Sequence, residues 1–149
     1  MALKFTTIFP LSAAKLILIA SAGLAPIRPS FLSDVSQPRT PDSTATLNSL
    51  VAGEQRMPQA VLDFINLILA NYNPIESLPI LTDEQLRQLT MPVLFLGGDQ
   101  DVIIDAEKSA QRLLILVPRA EIHIIPNCGH AVFNALDFII PFLAKEAVT

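Results

Sequence analysis

Two short apolar runs in the last third of the chain each end in a turn that carries an ionisable side chain. Residues 93–96 lead through Gly97 and Gly98 to Asp101, and residues 122–125 lead through Gly129 to His130. Runs of four or five branched and aromatic residues that close on glycine, proline or asparagine are typical of buried strands. The sequence therefore predicts two buried strands, one delivering a carboxylate and the other a histidine.

A third such run, at residues 16–20, predicts another buried strand near the start of the chain. Apolar residues at helical spacing predict a helix over residues 105–117, with Asp105 as its N-cap, and a second helix over 132–143. Pro141 is expected to kink or end that last helix. Strands that alternate with helices in this way favour parallel crossovers and a layered α/β architecture.

Composition limits the class of protein. The chain has 149 residues, enough for one domain, and 51% of them are apolar. This apolar content suits strands buried on both faces of a sheet, and equally a piece of a larger protein. A net charge of −4 gives no basic surface for nucleic acid, and the single cysteine excludes an internal disulfide.

The first 25 residues allow two interpretations. They imitate a secretory signal, but Pro10 and Lys15 leave only residues 16–22 as an uninterrupted apolar stretch. That stretch is too short to span a bilayer. We favour the alternative, a helix over residues 1–9, a stop at Pro10 and a strand over 15–20, and with it a cytoplasmic protein. A secreted protein remains the other possibility.

The middle of the chain interrupts the strand and helix alternation. Residues 26–46 carry four prolines and many short polar residues, which predicts a loop. Residues 59–70 have one apolar helical face, and a capping box at Thr82 and Gln85 begins another short helix. An excursion between two strands is where a lid over an active site would lie, although a merely decorative helical insertion fits the composition equally well.

Asp101 and His130 are the candidate catalytic residues. If their strands are neighbours, both side chains project from the carboxyl edge of the sheet, where a carboxylate can fix the imidazole tautomer and the imidazole can accept a proton. Alone, Asp101 is equally well explained as a turn residue, and a histidine after a strand usually has a structural role. Asp99 and Asp105 compete for the acid role, but Asp99 falls within the turn and Asp105 is better explained as a helix cap.

Two other residues carry reactive side chains. His123 lies inside a strand, away from the carboxyl edge, so a catalytic role is not expected of it. Cys128 is two residues from His130 on the same turn, which makes a relay between them awkward. We interpret Cys128 as a small packing residue.

These segments resemble a known family. Residues 89–101 and 116–130 are similar to the C-terminal half of α/β-hydrolase fold enzymes, in which Gly-x-x-Asp carries the acid of a triad and Gly-His the base; here these are Gly98 to Asp101 and Gly129-His130. The resemblance implies a partial α/β-hydrolase fold, with about three parallel strands flanked by helices and a helical cap insertion. It divides the chain into a helix and strand of the core (1–26), a cap-like insertion (27–90) and the C-terminal core (91–149).

The chain departs from that family in one respect. No Gly-x-Ser-x-Gly motif occurs in it, so the nucleophile and the oxyanion donors are missing. The resemblance implies hydrolysis of a small ester-like substrate, with Asp101 orienting His130 and no cofactor or metal, but the chain alone is expected to be inactive. The alternatives are a non-catalytic binding module and a small secreted protein. The first strand would be an unpaired edge, which favours self-association or a partner segment that completes the sheet.

Overall fold

The computed structural model describes residues 1–35, 51–53, 58–71 and 79–146. Its strands are β1 (Leu16–Ile19), β2 (Val93–Gly98) and β3 (Ala120–Ile125). Its helices are α1 (Ala2–Ile8), α2 (Pro29–Val35), α3 (Gln59–Asn71), α4 (Asp83–Arg87), α5 (Ala106–Leu116) and α6 (Leu136–Ala144). Among these, no helix is both long enough and apolar enough to cross a bilayer.

The three strands form one parallel sheet in the order β1-β2-β3. Every residue of the central strand β2 is buried. The register aligns the two strand ends that lead to the candidate site, with Gly98 of β2 opposite Ile125 of β3. The prediction of a short parallel α/β sheet is therefore confirmed.

The sheet is covered by apolar side chains on both faces. Val93 and Phe95 point to the face that also holds buried residues of α1, α4 and α5, and Leu94 and Leu96 point to the face covered by α6. This alternation follows from the period of two in a strand. A strand buried on both faces has apolar residues throughout, which is the pattern that its sequence shows.

Capping residues fix where two helices begin. Thr82 and Gln85 form the expected capping box at the start of α4. Asp105 caps α5 by accepting a hydrogen bond from the Lys108 N–H at 3.1 Å. Pro10 ends α1 by starting a single turn of 3-10 helix, from which the chain enters β1.

Two local predictions need correction or refinement. Residues 29–35 form α2 rather than part of a loop, because a proline at the first helical position costs no hydrogen bond and already has a helical φ. The rest of the predicted loop, at 36–46, lies outside the described residues. Pro141 does not end α6, which continues to Ala144. The last turn is held by Lys15, whose ammonium donates to the carbonyls of Phe142 at 2.9 Å and Leu143 at 2.8 Å.

Candidate active site

Asp101 lies in the turn that follows β2. Its carboxylate is almost fully buried, with 1% of the side chain exposed. One oxygen, Oδ1, accepts hydrogen bonds from the N–H groups of Ile103 at 2.8 Å and Ile104 at 2.9 Å. These two bonds satisfy the buried oxygen and fix the side chain, so the second oxygen, Oδ2, points in a defined direction.

His130 lies at the end of the turn that follows β3. Its Nδ1 is 2.9 Å from Oδ2 of Asp101, although the two residues are 29 positions apart in sequence. A carboxylate can only accept, so this contact selects the tautomer that carries the proton on Nδ1. The imidazole is 31% exposed, so solvent or a substrate can reach it. The arrangement can orient a histidine and stabilise its protonated form.

Asp99 connects the two turns. Its N–H donates to the carbonyl of Ile125 at 3.1 Å, and its Oδ1 accepts from the Cys128 N–H at 3.3 Å. The Gln100 N–H donates to the Cys128 carbonyl at 2.9 Å. The competing acid Asp99 therefore joins the acid-bearing turn to the histidine-bearing turn.

Glycines allow the backbones at this edge to approach closely. A Cβ on Gly98 would lie 2.1 Å from the carbonyl oxygen of Cys128, and one on Gly129 would lie 2.3 Å from the carbonyl oxygen of Val51. Real Cβ atoms do not tolerate such distances from backbone, so only glycine fits at either position. Gly98 is thus required by the packing of the two turns, and Gly129 by the packing of the histidine turn against residues 51–53.

Residues 51–53 contact the histidine turn through backbone atoms, which sequence reasoning missed. The Gly129 N–H donates to the Ala52 carbonyl at 3.3 Å, and the Ala131 N–H donates to the Val51 carbonyl at 3.2 Å. Gly53 forms an isolated antiparallel bridge with Cys128. Backbone pairing between distant segments depends little on residue type. Gly53 is the one residue here whose type could have indicated a close backbone contact.

The remaining candidates have structural partners. Burial raises the pKa of the Asp105 carboxyl, but hydrogen bonds from Lys108 and the charges of Arg28 and Lys108 outweigh it and leave the pKa below its usual value. His123 contacts Glu121, with Nε2 3.0 Å from Oε1, and its ring lies 4.7 Å from that of Phe138. Asp105 therefore caps a helix and pairs with cations, and His123 packs against Phe138 and contacts Glu121.

Cys128 is fully buried. Burial raises the pKa of its thiol, and the carboxylates of Asp99 and Asp101 raise that pKa further. A nucleophilic cysteine needs the thiolate form, which these surroundings disfavour. The structure thus agrees with the interpretation of Cys128 as a packing residue.

No protein family profile matches the chain. A curated relative, the uncharacterized carboxylesterase nap of Bacillus subtilis, is 39% identical over 51 residues, which are 34% of this chain and 17% of that protein. This likeness covers too little of either protein to assign an activity.

Solved structures match over almost the whole chain. The carboxylesterase CesB of B. subtilis superposes with a TM-score of 0.77 at 16% identity, over 95% of this chain and 55% of that one. The naproxen esterase of B. subtilis gives 0.75 at 19% identity, with the same coverage of 95% and 55%. A meta-cleavage product hydrolase from Pseudomonas fluorescens gives 0.71 at 15% identity, over 95% and 58%.

These comparisons establish the fold. The chain spans about half the length of the esterase structures it matches, and it has part of an α/β-hydrolase fold. The resemblance drawn from the sequence motifs is thereby confirmed at the level of fold.

Proposed function

We propose that this α/β-hydrolase-fold chain supplies the acid and the base of a serine-type ester hydrolase. The observation that carries the proposal is the contact between Nδ1 of His130 and Oδ2 of Asp101, at 2.9 Å. The buried acid and the partly exposed imidazole have the burial expected of an orienting carboxylate and a proton-transfer group. Two of the matched structures are named as esterases, which supports ester hydrolysis as the class of reaction.

In this reaction His130 accepts the hydroxyl proton of a serine as the serine attacks the ester carbonyl. His130 then gives that proton to the departing alkoxide, and repeats the two steps with water when the acyl-enzyme is hydrolysed. Asp101 remains ionised throughout. It keeps the Nδ1–H tautomer in place, so that Nε2 is the atom that exchanges protons, and it stabilises the transient imidazolium.

We infer that the nucleophile comes from polypeptide outside these 149 residues, since they contain no Gly-x-Ser-x-Gly motif. We place it beside β1. Within the described residues β1 pairs with β2 on one side and with no strand on the other. A parallel strand added there would end at the same edge of the sheet as the turns that carry Asp101 and His130.

The surface next to β1 supports this placement. Phe5 and Ile8 of α1 and the following Phe9 are exposed, whereas Leu3 of the same helix is buried. Large apolar side chains that lie together on a surface often mark a place where another segment packs. Polypeptide that covers this side of α1 and adds a strand to β1 would bury both features at once.

The substrate is proposed to be a small ester, held between this edge and the excursion over residues 27–90. Residues 51–53 are part of that excursion and contact the histidine turn through Gly129. The excursion therefore reaches the candidate site, as a cap over a substrate would.

The test is a chimera in which this chain replaces the matched portion of carboxylesterase CesB. We expect hydrolysis of p-nitrophenyl esters, its loss in His130→Gln, and its retention in the matched control His123→Gln. Equal activity in His130→Gln and the parent chimera would overturn the proposal. A folded chimera that binds ester without hydrolysing it would favour the non-catalytic alternative.

A second measurement uses the chain by itself. A fluorophosphonate probe labels activated serines, and we expect no serine of the isolated chain to react, because no serine of the sequence lies in a Gly-x-Ser-x-Gly motif. Labelling of a serine in the isolated chain would show that the nucleophile lies within these residues.

A further inference from the structure

Arg28 lies against the turn that carries Asp101. Its N–H donates to the carbonyl of Ile103 at 2.8 Å, and the preceding Ile27 forms an antiparallel bridge with Ile104. Residues 27–28 thus run alongside the same two residues whose N–H groups hold the Asp101 carboxylate. This short pairing brings the Arg28 side chain next to the turn that carries Asp101.

The Arg28 guanidinium contacts two residues of the segment between β2 and α5. Its Nε donates to the backbone carbonyl of Asp101 at 2.9 Å, and its Nη2 lies 3.7 Å from Oδ1 of Asp105. Arg28 therefore contacts both Asp101 and Asp105, the last residue before α5. A planar guanidinium can make both contacts at once because its donors point in fixed, diverging directions.

The two contacts differ in strength. The bond to the Asp101 carbonyl has the distance of a good hydrogen bond with a charged donor. The contact with Asp105 is longer, and the Arg28 side chain is 39% exposed, so solvent weakens it. The stronger interaction is thus directed at the residue whose carboxylate holds His130.

We propose that Arg28 is a positioning residue, which fixes the backbone of Asp101 so that its carboxylate meets the Ile103 and Ile104 amides on one side and His130 on the other. The role in catalysis rests on the proposed function; the positioning of the carboxylate does not. Arg28 acts through Asp101. Small displacements of such a group are costly, since an error of about 1 Å in a catalytic site can cost about a hundredfold in rate.

Arg112 also binds backbone carbonyls, but away from the candidate site, so it serves as a comparison for Arg28. Arg112 donates to the carbonyl of Leu24 at 2.8 Å and to that of Leu81 at 2.6 Å, and it also contacts Asp83. It joins separate segments of the fold by the same chemistry but contacts neither catalytic turn. Arg112→Met is therefore the matched control for loss of a carbonyl-bound guanidinium.

The experiment is nuclear magnetic resonance on the 149-residue chain at mildly alkaline pH. The chain has two histidines, so His130 reports on the site and His123 is an internal reference. In Arg28→Met we expect loss of the His130 Nδ1–H signal, and amide exchange at Ile103 and Ile104 about tenfold faster or more. Arg112→Met should lower the unfolding temperature yet leave the His130 signal in place.

Arg28→Lys is the conservative variant, and it keeps the test decisive if Arg28→Met fails to fold. A lysine keeps the charge but replaces the planar guanidinium with one ammonium. We therefore expect amide exchange at Ile103 and Ile104 at rates between those of wild type and Arg28→Met. Where only Arg28→Lys folds, exchange at these amides should be faster than in wild type. Wild-type signals and exchange rates in every folded Arg28 variant would overturn the proposal. None of these measurements needs ester hydrolysis, so the proposed function can fail while this inference stands.

Discussion

His130 meets Asp101 because the strands that precede them end side by side. Gly98, the last residue of β2, is opposite Ile125, the last residue of β3. The chain then travels three residues to the acid and five to the base, and Nδ1 and Oδ2 come to lie 2.9 Å apart. The parallel register of two buried strands thus sets the geometry of the candidate pair.

The first prediction separates the structural and the chemical roles of Asp101. In Asp101→Ala the amides of Ile103 and Ile104 lose their acceptor, and we expect the free energy of unfolding to fall by about 2–4 kcal/mol. Asp101→Asn keeps an acceptor oxygen and should cost much less. In both variants the Nδ1–H tautomer of His130 loses its partner, so the ester-hydrolysing chimera should lose about three to four orders of magnitude in kcat.

Thermal denaturation measures the first effect and chimera kinetics the second. A large loss of stability in Asp101→Asn, or full activity in either variant, would contradict the assignment of one oxygen to the turn and the other to His130.

The second prediction concerns pH. Hydrogen bonds from Lys145 and His123 hold the pKa of the Glu121 carboxyl below its usual value of 4.5, against a weaker opposing effect of burial. The ionised form is therefore favoured in the folded state. Its stabilising contribution is complete above the unfolded pKa and is lost as the pH falls through the lower, folded pKa.

Because Glu121 is 34% exposed, we expect Glu121→Gln to cost at most about 1 kcal/mol at neutral pH, a few degrees in unfolding temperature. The difference from wild type should disappear on acidification below the carboxyl's folded pKa. Glu146→Gln, which removes the same charge from a nearby exposed position, should change the unfolding temperature less. A destabilisation by Glu121→Gln that grows as the pH falls would contradict this prediction.

The third prediction tests the backbone contact between residues 51–53 and the histidine turn. Gly53 has φ of +67°, and a Cβ there would lie 2.6 Å from the Gly129 nitrogen. We expect Gly53→Ala to break the hydrogen bonds of Gly129 and Ala131 to this segment and to speed the exchange of both amides. The cost combines an unfavourable φ, about 1 kcal/mol, with the clash.

Gly23→Ala is its control. Gly23 also has a positive φ, +97°, but a Cβ there meets nothing nearer than 3.4 Å. It should destabilise the fold without changing exchange at Gly129. Equal exchange at Gly129 in the two variants would show that residues 51–53 do not hold this turn.

The fourth prediction follows from the burial of Cys128. Burial and two neighbouring carboxylates raise the pKa of the thiol, so little thiolate exists near neutral pH. We expect iodoacetamide to modify the folded chain very slowly and the urea-unfolded chain at the rate of a free cysteine. Since the chain has one cysteine, intact mass reads the extent of reaction directly. Rapid modification of the folded chain would contradict this account.

The sequence was sufficient for the parts of the site that depend on local pattern. Buried strands have an apolar run closed by glycine, and turn residues follow them, so Asp101 and His130 could be placed at one sheet edge. What it missed depends on contacts between distant segments. The bonds of Arg28 to Asp101 and of residues 51–53 to Gly129 are made largely to backbone atoms, and backbone atoms are the same in every residue. The sequence does not predict helix α2, because the prolines around and at its start are more typical of loops.

The last prediction concerns the side of β1 on which none of the described strands pairs. Ile19 of this strand is 42% exposed, and Phe5 of α1 and the following Phe9 form an exposed aromatic pair, with ring centres 5.2 Å apart. An edge strand offers unpaired backbone donors and acceptors, and exposed apolar side chains favour association. We therefore expect the isolated chain to associate as its concentration rises, and the double variant Phe9→Lys/Ile19→Lys to remain monomeric in sedimentation experiments.

The control is Leu114→Lys/Ile115→Lys on α5, where both side chains are also exposed. It adds the same charge at two exposed apolar positions but leaves β1 and α1 unchanged, so it should associate like wild type. Monomeric behaviour in the α5 variant, with association persisting in Phe9→Lys/Ile19→Lys, would move the association surface to α5. It would also remove the support that this surface gives to a strand added beside β1.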